Sequence, residues 1–426
     1  MMKLPQPTDT AQTRVFASIL LFLIPFSIYI AGFRYIGSGD TVASELLAVS
    51  LVREGNFDFN EFFDEGEKMP YAFTFSGDRI VNLYTVIPGM MHVPVFFAAN
   101  IVGIDLEENL LKLNKISLSF FASISVVLMF YILLGLGFSI RRSFFLCLVY
   151  AFGTLVWSQA ARGTWQHGPS ILFLCSAILL MQSDKKSVFA WAGFFLSLIC
   201  VNRPANVFIV LPIYIYILVH KRDRFFAVVL TSLIPLAFLA WYSIEYWGSI
   251  LSLGQGQNSK FTGNPLLGIP GMLISPARGL LVFSSVFVFS IIYMVRDVFR
   301  KGGDVFDRYL TAGFILTLIC YSFWERWSGG HCFGYRYLTE FIPILTIFLA
   351  KSWDRYIAPR RCIKVIFIIM FAASVYINFL GAIVFPSGFD HIPNDVDFHP
   401  ERLWHVYDTE IVRCHNLLVD RIASYF

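Results

Sequence analysis

The chain has 426 residues, of which 57% are hydrophobic, 17% aromatic and only 15% charged, with a mean hydropathy of +0.65. So much apolar surface does not fit inside a water-soluble core, and the composition points to an integral membrane protein. The net charge of +4 is small and the basic residues fall in short scattered clusters, which excludes nucleic acid as a partner and leaves those clusters to report topology.

In chain order, apolar stretches of spanning length run at 15–36, 116–139, 144–161, 169–183, 187–202, 204–219, 225–246, 279–295, 308–324, 337–350 and 363–385. They predict an all-α polytopic membrane protein with about eleven transmembrane helices. The first lacks a small-residue cleavage site and is expected to stay as an anchor. Cys147, Cys175, Cys200, Cys320 and Cys362 lie in or beside these spans as small buried hydrophobes, leaving Cys332 and Cys414 as the candidate disulfide pair. One more apolar patch, "LYTVIPGMMHVPVFFAANIVGI", is broken by Pro88, Gly89 and Pro94 and reads as a helix or a re-entrant piece. If it does not cross, Arg141 and Arg142, Lys185 and Lys186, Lys221, Arg222 and Arg224, and the clusters at 296–301 and 351–364 all share a side with Lys3 and Arg14. The positive-inside rule makes that side cytoplasmic.

The longer polar segments then lie on the outer face: 37–115, "ARGTWQHG", "VNRPA", the loop from Trp247 to Arg278, "ERWSGGHCFGYRYL" and a tail over 386–426. Function is expected there, because the cytoplasmic loops are short and merely basic. No internal repeat is evident at the level of motifs, which weighs against a transporter built from inverted halves.

The first outer loop opens on "IGSGDTVASELLAVSLVREG", with Asp40 at the mouth of the first span. A carboxylate at that depth is costly unless paired or hydrated, so it is a functional suspect. It reads equally as a helix N-cap with Glu45 in the first turn. Gly37 and Gly39 are expected to let the backbone turn and leave room for a ligand. Val42, Leu46, Leu47, Val49 and Leu51, stopped by Gly55, predict an amphipathic helix along the membrane surface. "NFDFNEFFDEGE" follows as an interfacial turn and polar loop. The broken apolar patch then dips back, so that the loop roofs a cavity with Asp40 at its base.

Further along, "SQAARGTWQHGPS" offers Arg162, Gln166 and His167 but no acid; His167 is either a helix-terminal hydrogen-bonding group or an orienter of donor or acceptor. Arg203 in "CVNRPAN", in a turn fixed by Pro204, either grips phosphate oxygens in bidentate fashion or snorkels to headgroups. Arg278 in "SPARGLL" sits near headgroup depth. In "FWERWSGGHCFGYRYL", Trp324, Trp327, Phe333, Tyr335 and Tyr337 surround Glu325, Arg326, His331 and Arg336, with Gly329, Gly330 and Gly334 between. An aromatic belt accounts for Trp and Tyr. Aromatic faces stacked on sugar rings, with Arg and His on phosphate or hydroxyls, account for the glycines and charges as well. The tail holds His391, Asp395, Asp397 and His399, a mixture able to ligate metal whose spacing matches no closed site. It reads as an outer-face cap ending in an amphipathic helix.

A first helix, an Asp at the start of a long outer loop with surface helices, and a zigzag of spans with polar outer turns together resemble the GT-C class of membrane glycosyltransferases, near the protein O-mannosyltransferases and lipid A aminoarabinose transferases. The resemblance implies a GT-C-like domain over 1–385 and inverting transfer of a sugar from a polyprenyl-phosphate donor to a lipid, glycan or protein acceptor at the outer face of a membrane, here a bacterial inner membrane. Asp40 matches the outer-loop Asp that acts on the acceptor nucleophile in that class. The second acid of the class is missing from "SQAARGTWQHGPS", so no metal and no other cofactor is expected. The resemblance assigns the donor phosphate to Arg203, Arg278 and Arg336 without choosing among them. Candidate sugar- or acceptor-binding residues are Glu45, Tyr84, His167, Glu325, His331 and Tyr335. Because phosphate is a good leaving group, one acid and several Arg residues suffice. Two rival readings are a lipid-linked sugar transporter or flippase, which needs charges along a path through the bilayer, and a lipid-linked glycan polymerase or ligase with no essential acid.

Overall fold

A computed structural model describes residues 10–32, 34–64, 66–250, 260–386 and 388–424; Lys3 and the 251–259 part of the outer loop lie outside the described residues. Each of the apolar stretches is mostly helical among the described residues. Among the described residues, Ala11–Ala31, Leu110–Gly135, Arg222–Trp247 and Arg361–Val384 are long and apolar enough to cross a membrane, and the chain is an integral membrane protein. The expected count of about eleven long spans is not reproduced. Some stretches form shorter helices, such as His167–Met181 and Val207–His220. Others are interrupted: Ile140–Phe152 gives way to a π-turn at Val156–Ala160, and 279–295 divides at Ser284, where φ is −136°. Hydropathy counts apolar side chains and is blind to where the backbone leaves the α-helix.

The loops gather in two sets. In one, Arg142 pairs with Asp354, Lys186 with Asp223, Lys351 with Asp304 and Asp307, and Arg355 with Asp297. All of these come from the segments or segment edges that the charge pattern assigns to the cytoplasm. In the other set, Tyr35 bonds Thr164, Asn202 bonds the Gln166 carbonyl, and Arg336 reaches Asp40. The alternation read along the chain is an alternation in space.

The first loop departs from expectation in two ways. Val42–Arg53 is a helix, but protein rather than lipid covers it: Ala43, Ser44, Glu45, Leu47, Ala48, Val49 and Ser50 are buried. The broken patch forms helices Ile87–Met90 and Val93–Ile101, which pack over it. Gly89 permits the crossing, since a Cβ there would sit 2.7 Å from Leu47 Cβ and 2.8 Å from the Ser44 carbonyl oxygen. An apolar stripe says that a face is covered, not whether lipid or protein covers it. The second departure is a hairpin, Phe73–Ser76 paired antiparallel with Arg79–Asn82 around Gly77, whose φ is 61°. Its signal, "FTFSGDRIV", is an alternating pattern around a Gly-Asp turn. The ring of Phe57 packs among Phe238, Trp241, Tyr242 and Tyr246 of Arg222–Trp247, and Arg79 pairs with Glu245. These contacts dock the loop on that long helix as a roof.

Past the last long helix, short 3-10 turns lead to the helix Glu410–Ala423. Cys332 and Cys414 are both buried and free, so the candidate disulfide is not formed.

Candidate functional site

Asp40 does not cap a helix. Thr41 precedes Val42–Arg53, and no side chain caps that end. The Asp40 carboxylate faces the opposite way: Oδ2 accepts from Arg336 Nη2 at 2.8 Å, and Oδ1 accepts from the hydroxyls of Tyr84, at 3.2 Å, and Tyr71. Tyr71 fits because Gly39 has no side chain; a Cβ there would lie 2.2 Å from Tyr71 Cε1. The room expected for a ligand beside Gly39 is therefore filled by a tyrosine. Burial works to raise the Asp40 pKa, but the Arg336 charge and the bonds from Tyr71, Arg336 and Tyr84 outweigh it, and the carboxyl titrates below its usual value. The Asp40 and Arg336 side chains remain 22% and 20% exposed, within reach of a ligand.

Arg336 opens the 3-10 helix Arg336–Phe341, and its guanidinium is divided three ways. Nη2 goes to Asp40, Nη1 donates to the Gly329 carbonyl at 3.2 Å, and Nε donates to His167 Nε2 at 3.2 Å. Gly329, Gly330 and Gly334 all have positive φ, between 71° and 84°, a region that side-chain-bearing residues rarely enter. The glycines of this run thus serve a backbone path that turns the Gly329 carbonyl onto Arg336.

Behind Arg336 lies a group the sequence reading passed over. Glu340 Oε1 meets His167 Nδ1 at 2.8 Å and accepts from Arg203 Nη1 at 2.8 Å. One neutral tautomer satisfies the imidazole on both sides, with Nδ1–H donating to Glu340 and Nε2 accepting from Arg336. Arg203 also lies over Tyr321 and Tyr337, 5.4 Å from each ring centroid, and those rings stack 4.1 Å apart. His167 and Glu340 are only 2% exposed, so they form a foundation rather than a contact surface. A carboxylate in the apolar run "RYLTEFIPI" was the available signal, because such a group is kept only if paired or functional.

Next to this row is an apolar cavity of about 250 Å³, lined among others by Tyr84, Val201, Pro204, Leu239 and Tyr242. Tyr84 is shared between cavity and carboxylate, and Pro204 follows Arg203. The cavity thus adjoins the charged row through these two residues.

The remaining expected residues are elsewhere. Arg278 is 1% exposed and held by Asp390 at 3.1 Å, by Glu410 and by the Gly330 carbonyl, where it anchors the tail. Glu45 is buried and bonded by Thr41; burial raises its pKa against the opposing bonds from Thr41 and Tyr35. Tyr335 is a core residue bonded to Ser284, and Glu325 is exposed. His331 contacts tail residues His391 and Asp395. Trp327 packs on Gly271, and Phe333 on Gly381 and Phe283. These aromatics of the Gly-rich run are core rather than a stacking face.

No protein-family model and no curated protein matches the chain. Its fold is similar to that in the crystal structure of ArnT from Cupriavidus metallidurans bound to undecaprenyl phosphate, with a TM-score of 0.54, 11% identity, and coverage of 96% of this chain and 76% of that one. The chain has an ArnT-like fold. At that identity the likeness carries the architecture alone.

Proposed function

We propose that this protein is an inverting glycosyltransferase that moves a sugar from a polyprenyl-phosphate donor to an acceptor hydroxyl or amine on the outer face of a bacterial inner membrane, with its N-terminus in the cytoplasm. The observation that carries the reading is the Asp40–Arg336 pair, a reachable carboxylate and guanidinium side by side, with Tyr84 both bonded to the carboxylate and lining an apolar cavity. Undecaprenyl phosphate in the ArnT structure supports a polyprenyl phosphate as the carrier. The cavity is below the roughly 300–1,000 Å³ of common ligand pockets, a size suited to the head end of a prenyl chain with the remainder in lipid.

In this reading Arg336 is contested. While it holds Asp40, the carboxylate is a weak base. A phosphate arriving at the guanidinium forms a charge-assisted bond that replaces the one to Asp40, and the freed carboxylate gains basicity. Asp40 then accepts the proton of the acceptor group as that group bonds to the anomeric carbon from the face opposite the phosphate. The carbon–oxygen bond to phosphate breaks, and its electron pair stays on a phosphate oxygen beside Arg336. Tyr84 and Tyr71 orient the carboxylate. Glu340 and Arg203 act as positioning residues, because they fix the His167 ring against which Arg336 leans. Arg278 belongs to the tail anchor, and residues 386–426 cap the 1–385 domain.

The test compares Asp40→Asn with Arg336→Ala, using a panel of polyprenyl-phosphate hexoses and pentoses for transfer and undecaprenyl phosphate itself for binding. Asp40→Asn should lose transfer by about 100-fold or more, the usual worth of a general base, while retaining the lipid; Arg336→Ala should lose the lipid. Unimpaired transfer by Asp40→Asn would overturn the base and favour a polymerase or ligase that needs no acid.

A further inference from the structure

The tail and the Gly-rich run are far apart in sequence, yet they bring together His331, His391 and Asp395. Their ligand-capable atoms all lie within 4.8 Å of one another. His331 Nε2 is 2.8 Å from Asp395 Oδ1, His391 Nδ1 is 2.9 Å from Asp395 Oδ2, and the imidazole centroids are 4.0 Å apart. Asp395 is itself oriented by the Asp397 backbone N–H, at 2.9 Å. Asp397 in turn pairs with Arg326, from the same run as His331.

We propose that these residues form a binding site for a divalent transition metal of the zinc class. Two imidazoles and one carboxylate make a borderline donor set that suits such ions, whereas Mg²⁺ and Ca²⁺ favour all-oxygen sites. Metal–ligand bonds of about 2.0–2.2 Å place tetrahedral ligand atoms a little over 3 Å apart, so the two His–Asp contacts, at 2.8 and 2.9 Å, open by a few tenths of an ångström, and no pair of ligand atoms, all within 4.8 Å, has far to close. His391 has the freedom to do this, being 55% exposed. Water completes the fourth position from the solvent side. The ion joins the tail to the run whose Gly330 carbonyl is held by Arg278 and whose Gly329 carbonyl is held by Arg336. It therefore acts as a staple at one edge of the loop that presents Arg336. Metal binding here is independent of which reaction the Asp40 row performs.

The experiment uses the full chain in detergent, stripped with chelator and titrated with Co²⁺, whose d–d absorption reports coordination, followed by competition with Zn²⁺. One Co²⁺ should bind per chain and be displaced by Zn²⁺. His391→Ala and His331→Ala should each weaken binding by more than about 100-fold, above what loss of an outer-shell partner costs. His405→Ala, which alters an exposed histidine outside the triad, should leave binding unchanged. Zn²⁺ should also protect the tail of the wild type, but not of His391→Ala, from limited proteolysis. Because His391 is mostly exposed, its variant tests the site without a folding penalty. Absence of stoichiometric Co²⁺ binding by the wild type, or wild-type affinity in His391→Ala, would overturn the proposal.

Discussion

Glu340→Gln is the most demanding test of the charged row. Glu340 Oε1 accepts from Arg203 at 2.8 Å and contacts His167 Nδ1 at 2.8 Å, at 2% exposure. The substitution keeps an acceptor oxygen and nearly the same volume, so the loss is chiefly one of charge. At an effective dielectric near 20, unit charges about 3 Å apart attract by roughly 5–6 kcal/mol. Part of this is recovered because a neutral amide costs less to bury than a carboxylate. The expected net destabilisation is about 3–4 kcal/mol, in line with breaking one side of a buried pair. The assay is apparent melting temperature in detergent for Glu340→Gln, Arg203→Met and the double variant. Removing both partners should cost less than the sum of the single losses, because Arg203→Met takes away the cation that Glu340→Gln strands. If Glu340→Gln costs less than about 1 kcal/mol and the two changes simply add, Glu340 does not support Arg203 as argued.

Two further expectations concern Asp40. Gly39→Ala should push the Tyr71 ring off the carboxylate, since the new Cβ would overlap Cε1 at 2.2 Å; losing a hydrogen bond to a charged acceptor, about 1.5–3 kcal/mol, should lower transfer roughly 10- to 100-fold. Tyr71 is 60% exposed and can swing into solvent, so the melting temperature should barely move, and Tyr71→Phe should reproduce the defect; full activity in both would remove Tyr71 from the site. The pH dependence follows from the sign of the shift. The Asp40 pKa in the fold lies below its usual value of 3.8, so the stabilisation from its ionised form is complete above that value and is lost only as pH falls through the lower, folded-state pKa. The difference in melting temperature between wild type and Asp40→Asn should therefore be flat between about pH 5 and 8, whereas a difference that changes across that window would mean that the carboxyl is not held down by Arg336.

Much of the architecture was legible because the bilayer imposes it on composition. Long apolar runs have to be helical, since lipid offers no partner for backbone N–H and C=O groups. The basic clusters sort the loops into the same two sets that pair in space. The hairpin at Phe73–Asn82 was legible in principle but was obscured by acidic, aromatic neighbours that read as loop. For the candidate site, the sequence singled out Asp40, Arg203, His167 and Arg336 as polar groups at apolar boundaries, and the structure brings them into one row with Tyr84 beside it. Glu340 was missed because it stands alone inside a span, where its partners come from other helices.

By itself the sequence determined that this chain enters a membrane, that its apolar stretches are helical, and which polar residues stand in the turns between them. These depend on hydropathy and charge counted locally. Only the tertiary structure decided that Asp40 faces Arg336 rather than capping its own helix, that Arg278 anchors the tail, and that His331 meets His391 and Asp395. The physical reason is that a charged side chain is assigned by the partner that compensates its desolvation, and these partners lie tens to hundreds of residues away and meet only in the folded chain.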